Sequence, residues 1–94
     1  MKICFLGCGN IAQAIIDGLL KSGISSSNIA CIERNEQRVV LLRAQGLQII
    51  ELEELASIDF DLIVLAVKPK DALSAEQSIT KMAPKAAILS VVAG

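Results

Sequence analysis

The 94-residue sequence has no histidine, tryptophan or tyrosine, and Phe5 and Phe60 are its only aromatic residues. Its three cysteines, Cys4, Cys8 and Cys31, form no Cys-x-x-Cys spacing. Without histidine or that spacing, no metal site is expected, and an odd cysteine count argues against a disulfide framework. Cys4 and Cys31 fall inside apolar runs, where a reduced thiol behaves as a small hydrophobe. That usage suits a reducing compartment, so a cytoplasmic location is expected. Nine basic residues stand against ten acidic ones, a formal net charge of −1, with no basic run. Lacking a basic patch and aromatic rings for base stacking, the chain is not expected to bind nucleic acid. Long apolar runs are missing too: Asn10, Gln13 and Asp17 break up the N-terminal half, so no membrane span is expected. Phe5-Leu6-Gly7-Cys8 is only superficially like a lipoprotein cleavage site, because too few residues precede the cysteine for a charged and then an apolar region.

What is present is a 53% apolar chain dominated by aliphatic side chains, as expected of a parallel sheet covered on both faces. At this length one domain is expected, burying about 60–65% of its unfolded surface. The most informative stretch runs from Ile3 to Ala12. Four apolar residues lead into Gly7-Cys8-Gly9-Asn10-Ile11-Ala12, a Gly-x-Gly-x-x-Ala turn that opens an amphipathic helix. That is the context in which the pattern signals dinucleotide binding. Gly7 would allow the tight turn, Gly9 the approach of a pyrophosphate, and Ala12 close helix–strand packing. The unpaired N–H groups and positive dipole end of that helix would hold the phosphates.

Strand and helix signals alternate along the rest of the chain. After strand 3–6, residues 10–22 carry apolar side chains at helical spacing, with Gln13, Asp17 and Lys21 on the opposite stripe and Gly23 as a C-terminal cap. Residues 29–32 read as strand two, and Asn35 as the cap of a helix that stops at Gly46. Residues 47–50 read as strand three, 62–67 as strand four and 86–92 as strand five. Pro69 would end strand four, and Asp71 would cap the helix after it. The expectation is an α/β, Rossmann-type doubly wound parallel sheet of five strands in the order 3-2-1-4-5, with helices on both faces. Ligands bind such sheets at the carboxyl ends of the strands, which puts Gly7–Asn10, Glu33–Asn35, Lys68–Pro69 and Ala93–Gly94 on one rim.

These blocks, Phe5-Leu6-Gly7-Cys8-Gly9-Asn10-Ile11-Ala12, Glu33-Arg34-Asn35, Ala66-Val67-Lys68-Pro69 and Ser90-Val91-Val92-Ala93-Gly94, resemble the N-terminal domain of pyrroline-5-carboxylate reductases from end to end of the chain. The resemblance implies a reduced nicotinamide dinucleotide as cofactor and hydride transfer to the imine carbon of 1-pyrroline-5-carboxylate, giving proline. It implies that residues 1–94 are the cofactor domain, without the helical C-terminal domain that carries most of the family's substrate pocket and homo-oligomer interface. No catalytic residue carries over, so the chain is expected to bind cofactor with little or no turnover. The cofactor contacts that the resemblance implies are Gly7, Cys8, Gly9, Asn10, Ile11, Ala12, Glu33, Arg34, Asn35, Ala66, Val67, Lys68, Pro69, Ala93 and Gly94.

Several positions carry two readings. Glu33 can accept from a ribose 2′-hydroxyl, favouring NAD, whereas Arg34 can pair with a 2′-phosphate, favouring NADP. NADP is preferred, because an arginine fork there can both bind phosphate and stack on adenine. Asn10 either caps the first helix or touches the cofactor. Lys68 is an exposed lysine at a loop start by itself, and lines the nicotinamide side by resemblance. Cys8 replaces a commoner alanine or glycine, Ile11 replaces methionine, and Glu51-Leu52-Glu53-Glu54 lacks an asparagine that many members direct at the adenosine ribose. By themselves Glu51, Glu53 and Glu54 read as a solvated face. Two other functions remain open: the cofactor domain of a β-hydroxyacid-dehydrogenase-like reductase, against which Ala66-Val67-Lys68-Pro69 argues, and a non-catalytic remnant or docking module.

Overall fold

The apolar runs at 3–6, 29–32 and 62–65 become strands, because alternate side chains can be buried on opposite faces of one sheet. The computed structural model describes residues 1–91; Val92, Ala93 and Gly94, two of which belong to the expected rim, lie outside the described residues. In chain order the elements are β1 (Ile3–Leu6), α1 (Asn10–Lys21), β2 (Ile29–Ile32), α2 (Glu36–Ala44), β3 (Gln48–Ile49), β4 (Leu62–Leu65), α3 (Pro69–Met82) and β5 (Ala87–Ser90). Short 3-10 turns occupy Ser26–Asn28 and Leu52–Ala56. The strands form one five-stranded parallel sheet in the order β3-β2-β1-β4-β5. This is the expected doubly wound arrangement, with the order reversing on either side of β1.

The register sorts the core into two layers. On one face Ile3, Phe5, Ile29, Cys31 and Val64 pack under Ala12 and Ile16 of α1 and Leu42 of α2. On the other, Cys4, Ala30, Ile63 and Leu65 pack under Ile79 of α3, with Leu55 and Phe60. Helices therefore cover both faces. Phe5 and Ile63 are wholly buried, and burial of such side chains contributes about 1.5–3 kcal/mol each.

Helix ends follow their local chemistry. α1 and α2 close with paired backbone bonds of the Schellman type, Ile24 N–H to Leu19 O at 3.2 Å and Leu47 N–H to Leu42 O at 3.2 Å. The chain-terminal side of Gly23 and Gly46 thus turns directly into the next segment.

Five boundaries differ from the sequence expectations, the first being β5, which covers Ala87–Ser90 where the sequence predicts a strand over 86–92, Val92 lying outside the described residues. β4 ends at Leu65, leaving Ala66 and Val67 in the connection to α3. Pro69 opens α3 at its first position, where a missing N–H costs nothing, and Lys68 holds the N-cap position in place of Asp71. Gly9, not Asn10, is the N-cap of α1. β3 shrinks to two residues, although Ile50 N–H still reaches Cys31 O at 3.0 Å.

Candidate functional site

The turn after β1 begins with a glycine that the fold requires. Gly7 has φ +81°, and a Cβ there would lie 2.6 Å from the Ala66 carbonyl oxygen. Its N–H donates to Ile32 O at 3.0 Å, and Ala66 N–H donates to Leu6 O at 2.9 Å, so the turn is tied to both neighbouring strand ends. Gly9 differs: nothing stands within 4 Å of where its Cβ would be. The backbone there is open to an approaching group.

α1 starts at this open point. Its first intrahelical bond runs from Gln13 N–H to Gly9 O at 2.9 Å, so the N–H groups of Asn10, Ile11 and Ala12 precede the helical ladder. Among the described residues no side chain caps α1, and its first turn carries no acidic residue. α2 is the contrast. Asn35 Oδ1 accepts from Arg38 N–H at 3.1 Å, and Glu36 sits in its first turn. The uncapped end with a positive dipole is suited to an anion supplied from outside.

Beside this turn lies a cleft of about 570 Å³ at the carboxyl ends of the strands. Leu6, Ile32, Ile50, Leu52, Val67 and Ala75 give it apolar walls. Gly7, Glu33 and Arg34 line the side nearest the turn, and Glu51 and Glu53 the side of the short 3-10 turn. Asp71, Ser74 and Ser78 reach it from α3. Four carboxylates thus face one guanidinium. Such a lining suits a flat apolar ring and hydroxyl donors, with Arg34 as its one cationic contact for a phosphate.

The cleft and the turn bring together only part of the expected set. Gly7, Glu33, Arg34 and Val67 line the cleft. Cys8 and Ala12 are buried, so they can meet a ligand only through their backbones. Gly9, Asn10 and Ile11 present the head of α1, Ile11 with its side chain 41% exposed. Ala66 packs against Gly7, while Lys68 and Pro69 are exposed at the head of α3 and do not line the cleft. Asn35 is engaged as the α2 cap. Glu33 is not a solvated charge: Oε1 accepts from Cys8 N–H at 2.8 Å, and Oε2 from Arg34 N–H at 2.9 Å and Asn35 N–H at 3.0 Å.

Two groups escaped sequence reasoning. Arg38 Nη1 donates to Cys8 O at 3.0 Å. Its signal was its place in the first turn of α2, since helical side chains point back towards the N-terminus and here towards the rim. Asp71, Ser74 and Ser78 were legible as a polar stripe at spacings of three and four along α3. Glu51 and Glu53 line the cleft, whereas Glu54 closes a capping box on Glu51 N–H at 2.6 Å.

The three thiols are buried and free. Burial, with a smaller contribution from Cys8, pushes the Cys4 thiol up to about 12. A hydrogen bond with Cys31, then burial and the charge of Glu33, raise Cys8 far above the ordinary thiol range. Neither is a thiolate near neutral pH, so neither is a nucleophile. Among the described residues no cluster of three or more metal-ligating side chains occurs, and no helix is long and apolar enough to cross a membrane.

Residues 2–94 match the family model described as NADP oxidoreductase coenzyme F420-dependent. Pyrroline-5-carboxylate reductase 1 of Bacillus spizizenii is 37% identical over 99% of this chain, and that of Bacillus subtilis 36% identical over 99%. The chain spans 33% of the length of each of these curated relatives. The crystal structure of Plasmodium falciparum pyrroline carboxylate reductase with NADP bound superposes with a TM-score of 0.78 at 26% identity, over 98% of this chain and 33% of that one.

Proposed function

Because this chain belongs to the NADP oxidoreductase coenzyme F420-dependent family, we propose that residues 1–94 are the dinucleotide-binding domain of a pyrroline-5-carboxylate reductase. The turn and the cleft would hold NADPH or NADH, which in the complete enzyme would supply a hydride to the imine carbon of 1-pyrroline-5-carboxylate and leave as the oxidised dinucleotide, while the ring nitrogen takes a proton from solvent to give proline. The observation that carries the reading is the head of α1, uncapped and open over Gly9 beside a cleft with apolar walls.

The roles follow from what each residue offers. Gly7 shapes the turn, and the backbone of Cys8, Gly9, Asn10, Ile11 and Ala12 meets the pyrophosphate. Glu33, Arg34 and Asn35 border the adenosine half, where the exposed Arg34 favours the 2′-phosphate of NADP, with NAD the alternative. Ala66, Val67, Lys68 and Pro69 are assigned to the nicotinamide half, to which the family resemblance adds Ala93 and Gly94, outside the described residues. None of these groups is assigned to proton transfer. The substrate pocket and a homo-oligomer interface belong to the complete enzyme, which acts in the cytoplasm on a small molecule.

Parallel titration of the purified chain with NADPH and NADH at one ionic strength tests the reading. Saturable binding, tighter for NADPH, is the expected outcome. A folded chain that binds neither dinucleotide would sink the proposal. With NADPH and 1-pyrroline-5-carboxylate, the 94-residue chain is expected to form no proline, since no catalytic group is assigned to it.

A further inference from the structure

Residue 8 is held from three directions. Its side chain is 1% exposed within the core, its N–H donates to Glu33 Oε1 at 2.8 Å, and its carbonyl oxygen accepts from Arg38 Nη1 at 3.0 Å. Both jaws are themselves braced. The second oxygen of Glu33 takes the N–H groups of Arg34 and Asn35, at 2.9 and 3.0 Å, and Asn35 Oδ1 fixes the backbone of Arg38 at 3.1 Å. A half-buried arginine on α2 and a half-buried glutamate just after β2 thus grip the two polar groups of one loop residue.

We propose that Glu33 and Arg38 are positioning residues that clamp Cys8 and so aim the N–H groups at the head of α1. The peptide bond is planar, so the direction of the Cys8 carbonyl dictates the opposite direction of the Gly9 N–H. Arg38 draws that carbonyl towards α2, which turns the Gly9 N–H away from α2. Glu33 fixes the preceding plane through the Cys8 N–H. Three N–H groups on its two oxygens tie Glu33 to the loop, so its carboxylate holds the backbone of the turn in place. The inference rests on the dinucleotide reading given above.

The test combines affinity with amide hydrogen exchange in the ligand-free chain. R38A is expected to weaken NADPH and NADH by the same factor, about tenfold, as loss of a charge-assisted hydrogen bond would. It should also speed exchange at Cys8 and Gln13, whose N–H groups are hydrogen-bonded to Glu33 Oε1 and to Gly9 O, and R38K should restore part of both effects. R34A should weaken NADPH alone and leave exchange unchanged. Unchanged exchange in R38A, faster exchange without loss of affinity, or loss confined to NADPH would each overturn the clamp. E33Q, which neutralises the other jaw without shortening it, is read the same way and keeps the test open if R38A does not fold. A wild-type chain that binds neither dinucleotide would instead refute the functional reading, and the exchange arm would still decide whether Arg38 holds the loop.

Discussion

Gly7 has φ +81° and the Ala66 carbonyl oxygen 2.6 Å from where a Cβ would be, whereas Gly9 has φ −74° and open space around it. The two glycines of one turn therefore answer to different demands, the first to the fold and the second, in the function proposed above, to a ligand. Gly7→Ala combines left-handed strain with a backbone clash and should cost about 2–4 kcal/mol. For a domain of this size that lowers Tm by roughly 10 °C or more, measurable by thermal unfolding. Gly9→Ala should leave Tm within a few degrees and weaken NADPH and NADH by roughly tenfold or more, because its methyl group occupies the approach to the backbone. A Gly9→Ala chain with unchanged affinity for both would remove the pyrophosphate contact from this turn. The two glycines were legible as a motif at the level of residues. Their separate roles were not, because the clash at Gly7 comes from Ala66, a residue far along the chain.

At the scale of elements, α1 and α2 meet through a polar bridge on the surface. Asp17 Oδ1 accepts from Gln13 Nε2 at 2.9 Å and from Gln45 Nε2 at 3.0 Å. The hydrogen bond from Gln13, then that from Gln45, hold the Asp17 carboxyl below its ordinary value of 3.8. A lowered folded-state value means the unfolded chain binds the proton more readily. The stabilisation is therefore complete above the unfolded value and lost as pH falls from 3.8 through the lower folded value. Asp17→Ala should lower Tm slightly above about pH 5, and the gap to the wild type should close in acid below pH 4. A gap independent of pH would mean that the carboxylate charge plays no part. Sequence periodicity found α1, because one-sided apolar spacing survives in any tertiary setting, whereas α2 was marked by its Asn35 cap and its stop at Gly46. It misjudged the head of α3, since Pro69 suits both a strand end and a first helical turn, and only the paired length of β4 decides between them.

Across the whole molecule the two faces of the sheet are unequally covered at β5. Ile88 packs into the core, but Leu89 on the opposite face is 50% exposed at the edge of the sheet. Among the described residues β5 has no partner on its outer edge, and such an edge beside an apolar side chain favours association between copies. The chain should show concentration-dependent association by sedimentation velocity, and Leu89→Lys should reduce it without lowering Tm. An equally associating Leu89→Lys chain would move the contact elsewhere, for example to Val40 and Leu41, which are 65% and 63% exposed on α2.

The order of strands and helices, the doubly wound class and the glycine turn were all determined by the sequence, because each depends on local periodicity or on residues close together in the chain. Burial of both faces of β1 between β2 and β4 then follows from its unbroken apolar run. Only the tertiary structure decided what surrounds the turn. Glu33 read as a ribose acceptor or a free charge, yet parallel pairing of β1 with β2 brings its carboxylate to Cys8 N–H, 25 positions away in sequence. The same pairing carries Arg38 to the Cys8 carbonyl, and the pairing of β1 with β4 carries α3 to the cleft wall. Such contacts arise from which strand ends lie side by side, a property of the sheet order as a whole and not of any one segment.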